Sequence, residues 1–341
     1  MNKHIHRLAV TMTVIAALAL TSISCKREGG GGNANKNNAG ETVAVYVAGY
    51  ADRGAALWKN GTAQALGSTV TDSEAFSVFA SGGDVYVAGI TPDCEGCDGG
   101  SATLWKNGTA QTLDSATGNS RANSVFVSGN DIYVAGTAFG EEDSKATLWK
   151  NGTIQNLSGT GKDSRASSVF VSGNDVYVAG NVGSMSNSRA TLWKNGTPQK
   201  LGSTGESRAN SVFVFGDDVY VAGTVNVKNI DRATLWKNGV AQVLNDGDSG
   251  ALSVFVTASD VYVAGTVHVN DIVQATLWKN GVAQTLSSKE SSASSVFVSG
   301  GDVYVAGGAP ENNTGRGMLW KNGVAIPLGI AGSDANAVFV K

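Results

Sequence analysis

Three arginines recur at one place in the chain. Arg121, Arg165 and Arg208 each sit in a Ser-Arg-Ala-Asn/Ser leader that runs into Ser-Val-Phe. A guanidinium fork matches the two oxygens of a carboxylate, so an arc of three such groups is chemistry for holding an anion. Arg189 and Arg232 end neighbouring variable stretches and extend the same set. The competing reading is ion pairing with Asp163, Glu206 or Asp231 at an exposed rim, where each pair contributes little. Cys94 and Cys97, in Asp-Cys-Glu-Gly-Cys-Asp, form a lone CxxC. Zinc needs two more ligands, and no second pair or nearby His supplies them. In an oxidising compartment the pair is a candidate for a small local disulfide. Glu141-Glu142-Asp143 lacks the Asp-x-Asp-x-Asp-Gly order of calcium loops. Support for catalysis is thin. His4 and His6 lie in the first residues, His268 stands alone, no Gly-x-Ser-x-Gly elbow occurs and no pair of carboxylates recurs. The set implies no metal and no cofactor.

The elements that carry these residues repeat. Trp58, Trp105, Trp149, Trp193, Trp236, Trp278 and Trp320 are spaced by 47, 44, 44, 43, 42 and 42 residues, and the Tyr of Val-Tyr-Val-Ala-Gly keeps step from Tyr46 to Tyr304. A period of about 40–45 residues fits four-stranded propeller blades, and helical arrays share it. The runs inside the unit decide between them. Val169-Phe170-Val171 and Val176-Tyr177-Val178 are short, β-branched and aromatic, and turn residues bound each one. Asn-Gly between two strand-like runs, as at Asn151-Gly152, is a type I′ hairpin, because both residues accept positive φ. Ser172-Gly173-Asn174-Asp175 makes a second tight hairpin. Each unit is therefore four antiparallel strands with tight turns at one end and variable loops at the other. Apolar character on both faces places Ser-Val-Phe-Val innermost and Val-Tyr-Val-Ala-Gly second. The Leu-Trp strand is third, and the polar Thr-Ala-Gln-Thr-Leu strand is the outer edge.

The two ends of the repeat complement one another. The first strand, from Val43, occupies a second position, and the last, ending at Val340, is an innermost strand without followers. Joined, they make one blade and close a ring of seven. Residues 43–341 thus resemble the strand-exchange closure of seven-bladed β-propellers, which implies an all-β fold. The Gly-His and Trp-Asp signatures of WD40 blades and the paired glycines of kelch blades are absent. The units are similar to the LWKNG/VYVAG repeats of uncharacterised bacterial surface lipoproteins, a likeness that implies no activity. The seven Trp invite a sugar-stacking reading. Their fixed place two residues before the hairpin makes them core instead, each burial contributing at most about 4–6 kcal/mol.

Residues 1–25 read as an export signal: Lys3 and Arg7 precede an apolar run from Leu8 to Leu20, shorter than the roughly 20 residues of a membrane span. Thr21-Ser22-Ile23-Ser24-Cys25 resembles a bacterial lipoprotein cleavage site, with Ser22 where the usual pattern has Leu, and makes Cys25 the lipidated residue. Lys26 after it implies the outer membrane of two-membrane bacteria. Residues 26–42 are Gly/Asn-rich and read as a flexible tether. The formal charge of −3 becomes −5 once Lys3 and Arg7 are removed, which argues against a nucleic-acid partner. The loops after Val-Ala-Gly (50–54, 90–101, 137–145, 181–189, 224–232, 266–274 and 308–317) differ in every copy, and binding lives where a rigid scaffold carries varied loops. The expectation is a monomeric, membrane-anchored binding module with a protein or glycan ligand. The alternative is a glycan-processing or lactone-hydrolysing propeller enzyme with its site at the axial mouth, where Asn123, Asn210 and Asn336 are the recurring hints. Metabolic labelling of the full chain with a fatty-acid analogue in a two-membrane bacterium should mark the wild type. The C25A variant should stay unlabelled and run as a soluble envelope protein; equal labelling would remove the anchor.

Overall fold

The computed structural model of the protein describes residues 43–341 apart from 68–71, 95–98, 114–117, 142, 156, 158–162, 185, 203–204, 312–313 and 330. The segments 1–25 and 26–42, with Cys25, lie outside the described residues. The rest forms seven four-stranded antiparallel sheets. Blade 1 is built from both ends of the chain, in the order Asp334–Val340, Val45–Ala51, Gly54–Lys59 and Thr62–Ala65. Val45 pairs with Val340 and Val47 with Val338, the closure expected from the truncated first and last copies. Blade 2 starts at Glu74–Ser81. The innermost strands of blades 3 to 7 are Asn119–Ser128, Ser164–Ser172, Ser207–Phe215, Ser249–Val256 and Ser292–Ser299. Each packs against the innermost strand of the next blade, and blade 7 packs against blade 1. The chain is a seven-bladed β-propeller.

The tight-turn end is nearly identical from blade to blade. All seven Asn-Gly hairpins take positive φ at both residues, 50–52° at Asn and 78–83° at Gly, as a type I′ turn requires. The same Asn side chains reach back, accepting from an N–H at the start of the second strand, as in Asn151 Oδ1 from Ile132 at 2.9 Å. In blades 2 to 7 an Asp completes a clamp. Asp131 accepts from Asn151 Nδ2 at 2.8 Å and meets Lys150 Nζ at 2.7 Å, while that ammonium lies 5.3 Å from the Tyr133 ring centre. Hydrogen bonds from Lys and Asn hold these Asp carboxyls below their ordinary value. Blade 1 carries Ala44 where the others carry Asp.

Packing between blades follows from the same residues. The seven Trp side chains are at most 1% exposed, so their rings are core and face no ligand. Phe79, Phe126, Phe170, Phe213, Phe255, Phe297 and Phe339, one from each innermost strand, stand 4.8–5.0 Å apart in a closed collar around the axis. Polar side chains then stitch the seams. The first Ser of each leader, Ser73, Ser120, Ser164, Ser207, Ser249, Ser291 and Ser333, accepts at 2.9–3.0 Å from a third-strand N–H of the preceding blade. Four residues on, Ser77, Ser124, Ser168, Ser211, Ser253 and Ser295 accept from the innermost strand of the following blade.

A β-bulge in every innermost strand was not foreseen from the sequence. The register shifts between Ala122 and Ser124, for instance, leaving Asn123 as the extra residue. The Gly of each Val-Ala-Gly lies opposite, and a Cβ on Gly136 would run into the backbone oxygen of Arg121.

Removing one seam hydroxyl strands a buried N–H, so S168A should cost about 1–3 kcal/mol in urea unfolding. An unchanged midpoint would mean that the Ser168–Val212 bond is not needed.

Candidate functional site

The leader motif Ser-x-Ala-x-Ser fixes its first and third positions, keeps Ser at the fifth in all copies but blade 1, where Ala337 stands, and varies the second. In ring order from blade 1 the second position reads Asp334, Glu74, Arg121, Arg165, Arg208, Gly250, Ser292. All seven sit near the start of an innermost strand, at the variable-loop end of the axis. Two acids, three bases and two small residues thus share one circle, each sign contiguous.

Several of these side chains lean toward the preceding blade. The Arg121 guanidinium stacks 3.7 Å from the ring centre of Phe76, the bulge residue of blade 2. Glu74 Oε1 accepts from Nδ2 of Asn336, the bulge residue of blade 1, at 3.1 Å. The Asp334 carboxylate lies over Gly308 of blade 7, where a Cβ would come within 2.7 Å of Oδ1. A side chain there would displace it.

Electrostatics at the acids follow from burial. Desolvation pushes the Glu74 carboxyl above its ordinary 4.5; the Arg121 charge and the Asn336 hydrogen bond oppose this, and Asp334 adds to it. Asp334 is also raised by burial, opposed by the N–H of Ala335 at 2.9 Å. Burial and the neighbouring Arg165 lower the Arg121 pKa, while Glu74 opposes them. Tyr50 of blade 1 is raised by burial and then by surrounding acids, Asp72 ahead of Glu74. Tyr50, Glu74, Asp334 and Arg121 therefore form one electrostatic group.

Of the five arginines expected at the site, the structure gathers three. Arg165 is exposed and makes no hydrogen bond or ion pair among the described residues. Arg208 pairs with Glu206 at 2.5 Å, one of the rim partners considered from sequence. Arg121 is held by stacking, and its Nε is buried without a partner among the described residues. Arg189 and Arg232 start or enter third strands, opposite Val182 and Val225, two strands out from the axis. Arg189 Nη1 donates to the Ser188 carbonyl at 3.2 Å, and Arg232 meets Asp246 at 3.3 Å rather than Asp231. Asn123, Asn210 and Asn336 are bulge residues whose Nδ2 groups donate to Ala166, Ala251 and Ala75 of the next blade at 2.8–2.9 Å. Their amide nitrogens are seam bonds. Cys94 is disulfide-bonded, while Cys97 lies outside the described residues.

Sequence reasoning missed Glu74, Asp334 and Tyr50. The expectation that no carboxylates pair at the mouth came from looking for recurrence, and these two occur once each. Reading the second leader position copy by copy around the closed ring would have found them. It also missed a cavity of about 350 Å³ at the tight-turn end, lined by Phe79, Ala80, Val127, Phe339, Val340 and Lys341 among others. Ala80 stands there where the other copies carry Val.

No family model matches the chain, and no curated protein matches it. Among solved structures, the β-propeller domain of the Trilobed protease from Pyrococcus furiosus is similar over 85% of this chain and 95% of its own, with 12% identity and a TM-score of 0.49. TolB from Acinetobacter baumannii is similar over 73% of this chain and 64% of its own, at 10% identity and a TM-score of 0.48. A mutant of Trypanosoma rangeli sialidase displaying trans-sialidase activity matches over 72% of this chain at 12% identity and a TM-score of 0.46; this chain spans about half of it, 53%.

Because its folded pKa is raised, Glu74 contributes proton-linked stability that is fully present below 4.5 and lost as pH rises through the folded value. Stability measured by urea unfolding should fall over that window in the wild type, and E74Q should flatten the fall. Identical pH profiles would show that Glu74 is not raised.

Proposed function

We propose that this protein is an exported, lipid-anchored binding module of the cell envelope that takes an anionic ligand at its axial mouth. The observation that carries the reading is the contiguity of Arg121, Arg165 and Arg208 on three successive innermost strands, at the end of the ring where the loops vary. Arg165 leads, being exposed and unpaired among the described residues. Arg208 offers the part of its fork that Glu206 leaves open, and Arg121 adds positive potential from its seat on Phe76. A carboxylate suits this arc, because two forks can each bond a separate oxygen. The lipid on Cys25 and the 26–42 tether would hold the ring off the outer membrane, with protein or glycan ligands approaching the loop face.

A second reading has its own support. Tyr50, Glu74 and Asp334 place two carboxyls raised by burial beside a phenol and a guanidinium, a grouping that suits general acid–base work. An enzyme of this kind would turn over nitrophenyl glycosides or a simple lactone and lose that turnover in E74Q.

Succinate titrated calorimetrically into the protein tests the binding reading. R165A should weaken binding roughly tenfold or more, the scale of one charge-assisted hydrogen bond. R189A should leave it unchanged. Binding that ignores R165A, or no binding of succinate at all, would remove the arc as an anion site.

A further inference from the structure

We propose that the mouth recognises a zwitterion, its ammonium held by Asp334 and Glu74 and its carboxylate by Arg165 and Arg208. This rests on the reading of the arginine arc as an anion site and adds the other half of the ligand.

The sorting of charge is the first support. A solvated rim pairs its charges locally, as Arg208 does with Glu206 and Arg316 with Glu311. Asp334 and Glu74 stand side by side and make no ion pair among the described residues. Arg121, the nearest base to Glu74, is committed to Phe76. The acids are left with amide donors only, Ala335 N–H for one and Asn336 Nδ2 for the other. The Arg121 charge acts on Glu74 without pairing with it; taking carboxylates out of water without a paired counter-charge is unfavourable, and an incoming ammonium supplies that partner.

Asn336 supplies the second support. Its side chain is buried at 1% exposure, its Nδ2 is spent on Glu74 and Ala75, and its Oδ1, like that of Asn210, has no donor among the described residues. An ammonium carries three N–H donors and no acceptor. Asp334, Glu74 and this amide oxygen make a set of acceptors to match it. The opposite arc supports the remaining requirement, which is room. Gly250 and Ser292 leave the second position almost empty on blades 6 and 7. A Cβ on Gly250 would have only the Thr266 and Thr224 hydroxyls near it, at 3.6 and 3.8 Å. The body of the ligand that fits this gap is polar, with hydroxyl or amide groups. Amino acids and amino-bearing sugar acids are the chemical class. Burial raises both carboxyls above their ordinary values, so at a pH where they still hold protons, uptake of the ammonium should release protons to solvent.

The test uses the full chain and simple probes: glycine, 4-aminobutanoate and 6-aminohexanoate, against butanoate, butylamine and succinate, with folding of every variant checked by thermal unfolding. At least one amino acid should bind ten or more times tighter than butanoate and butylamine. D334N and E74Q should each reduce it toward the affinity of butanoate, and R165A toward that of butylamine. Proton release in mildly acidic buffer, read as a buffer-dependent heat, should shrink in each acid variant. E74Q carries the test if D334N fails to fold. If butanoate and succinate bind as tightly as the amino acids and the acid variants change nothing, the zwitterion is wrong and the anion site stands. If no probe binds, or binding ignores R165A as well, both fall.

Discussion

The structure depends on satisfying the free edge of each innermost strand. Such a strand pairs on one side only, and its other edge faces the axis, where an unbonded N–H is costly. The third strand has a similar gap, because the fourth strand stops short of it. Two serines in each leader, four residues apart, answer both needs: one accepts backward from a third strand, the other forward from an innermost strand. At the seam between blades 1 and 2 Ala337 has no hydroxyl to accept from the next innermost strand, while Asn336 Nδ2 donates to the Ala75 carbonyl, as Asn123 and Asn210 do at their own seams. Seven wedges become one ring through hydroxyls as much as through the Phe collar and the buried Trp.

That solution leaves the second leader position free. The serines and the small Ala between them are fixed by the seam, while the side chain between Ser and Ala enters no seam hydrogen bond in most blades. Chemistry at the mouth can therefore change blade by blade without loosening the ring. The opposite end has no such freedom, since Asn, Gly, Lys, Asp and Tyr are all tied into the hairpin clamps. The division of the molecule into a constant end and a variable end is a consequence of which residues the backbone claims.

Most of the fold was legible in the chain. Alternation, β-branching and Asn-Gly punctuation gave the four strands and their order, and the incomplete copies at Val43 and Val340 gave the closure. The bulge was not legible, because Ser-Arg-Ala-Asn-Ser reads as ordinary strand until the Gly opposite is seen to leave no room for a regular register. At the site, repetition helped and misled. It exposed Arg121, Arg165 and Arg208, yet hid Asp334 and Glu74, which differ from the consensus. Arg189 and Arg232 join the set in sequence as the ends of neighbouring variable stretches, but a third strand holds them two strands from the axis. Cys25 and the segments before Val43 lie outside what the structure describes.

Closure by the tail carries a consequence for timing. Val45 meets Val340 across nearly the whole described chain, and joining ends that far apart costs on the order of 5 kcal/mol in chain entropy. Blade 1 has no axial strand until the last residues are available, so the first blade to be synthesised is the last to be completed. A chain that emerges from its N-terminal side, as every nascent chain does, therefore keeps an unlocked ring until Asp334–Val340 is free to pair.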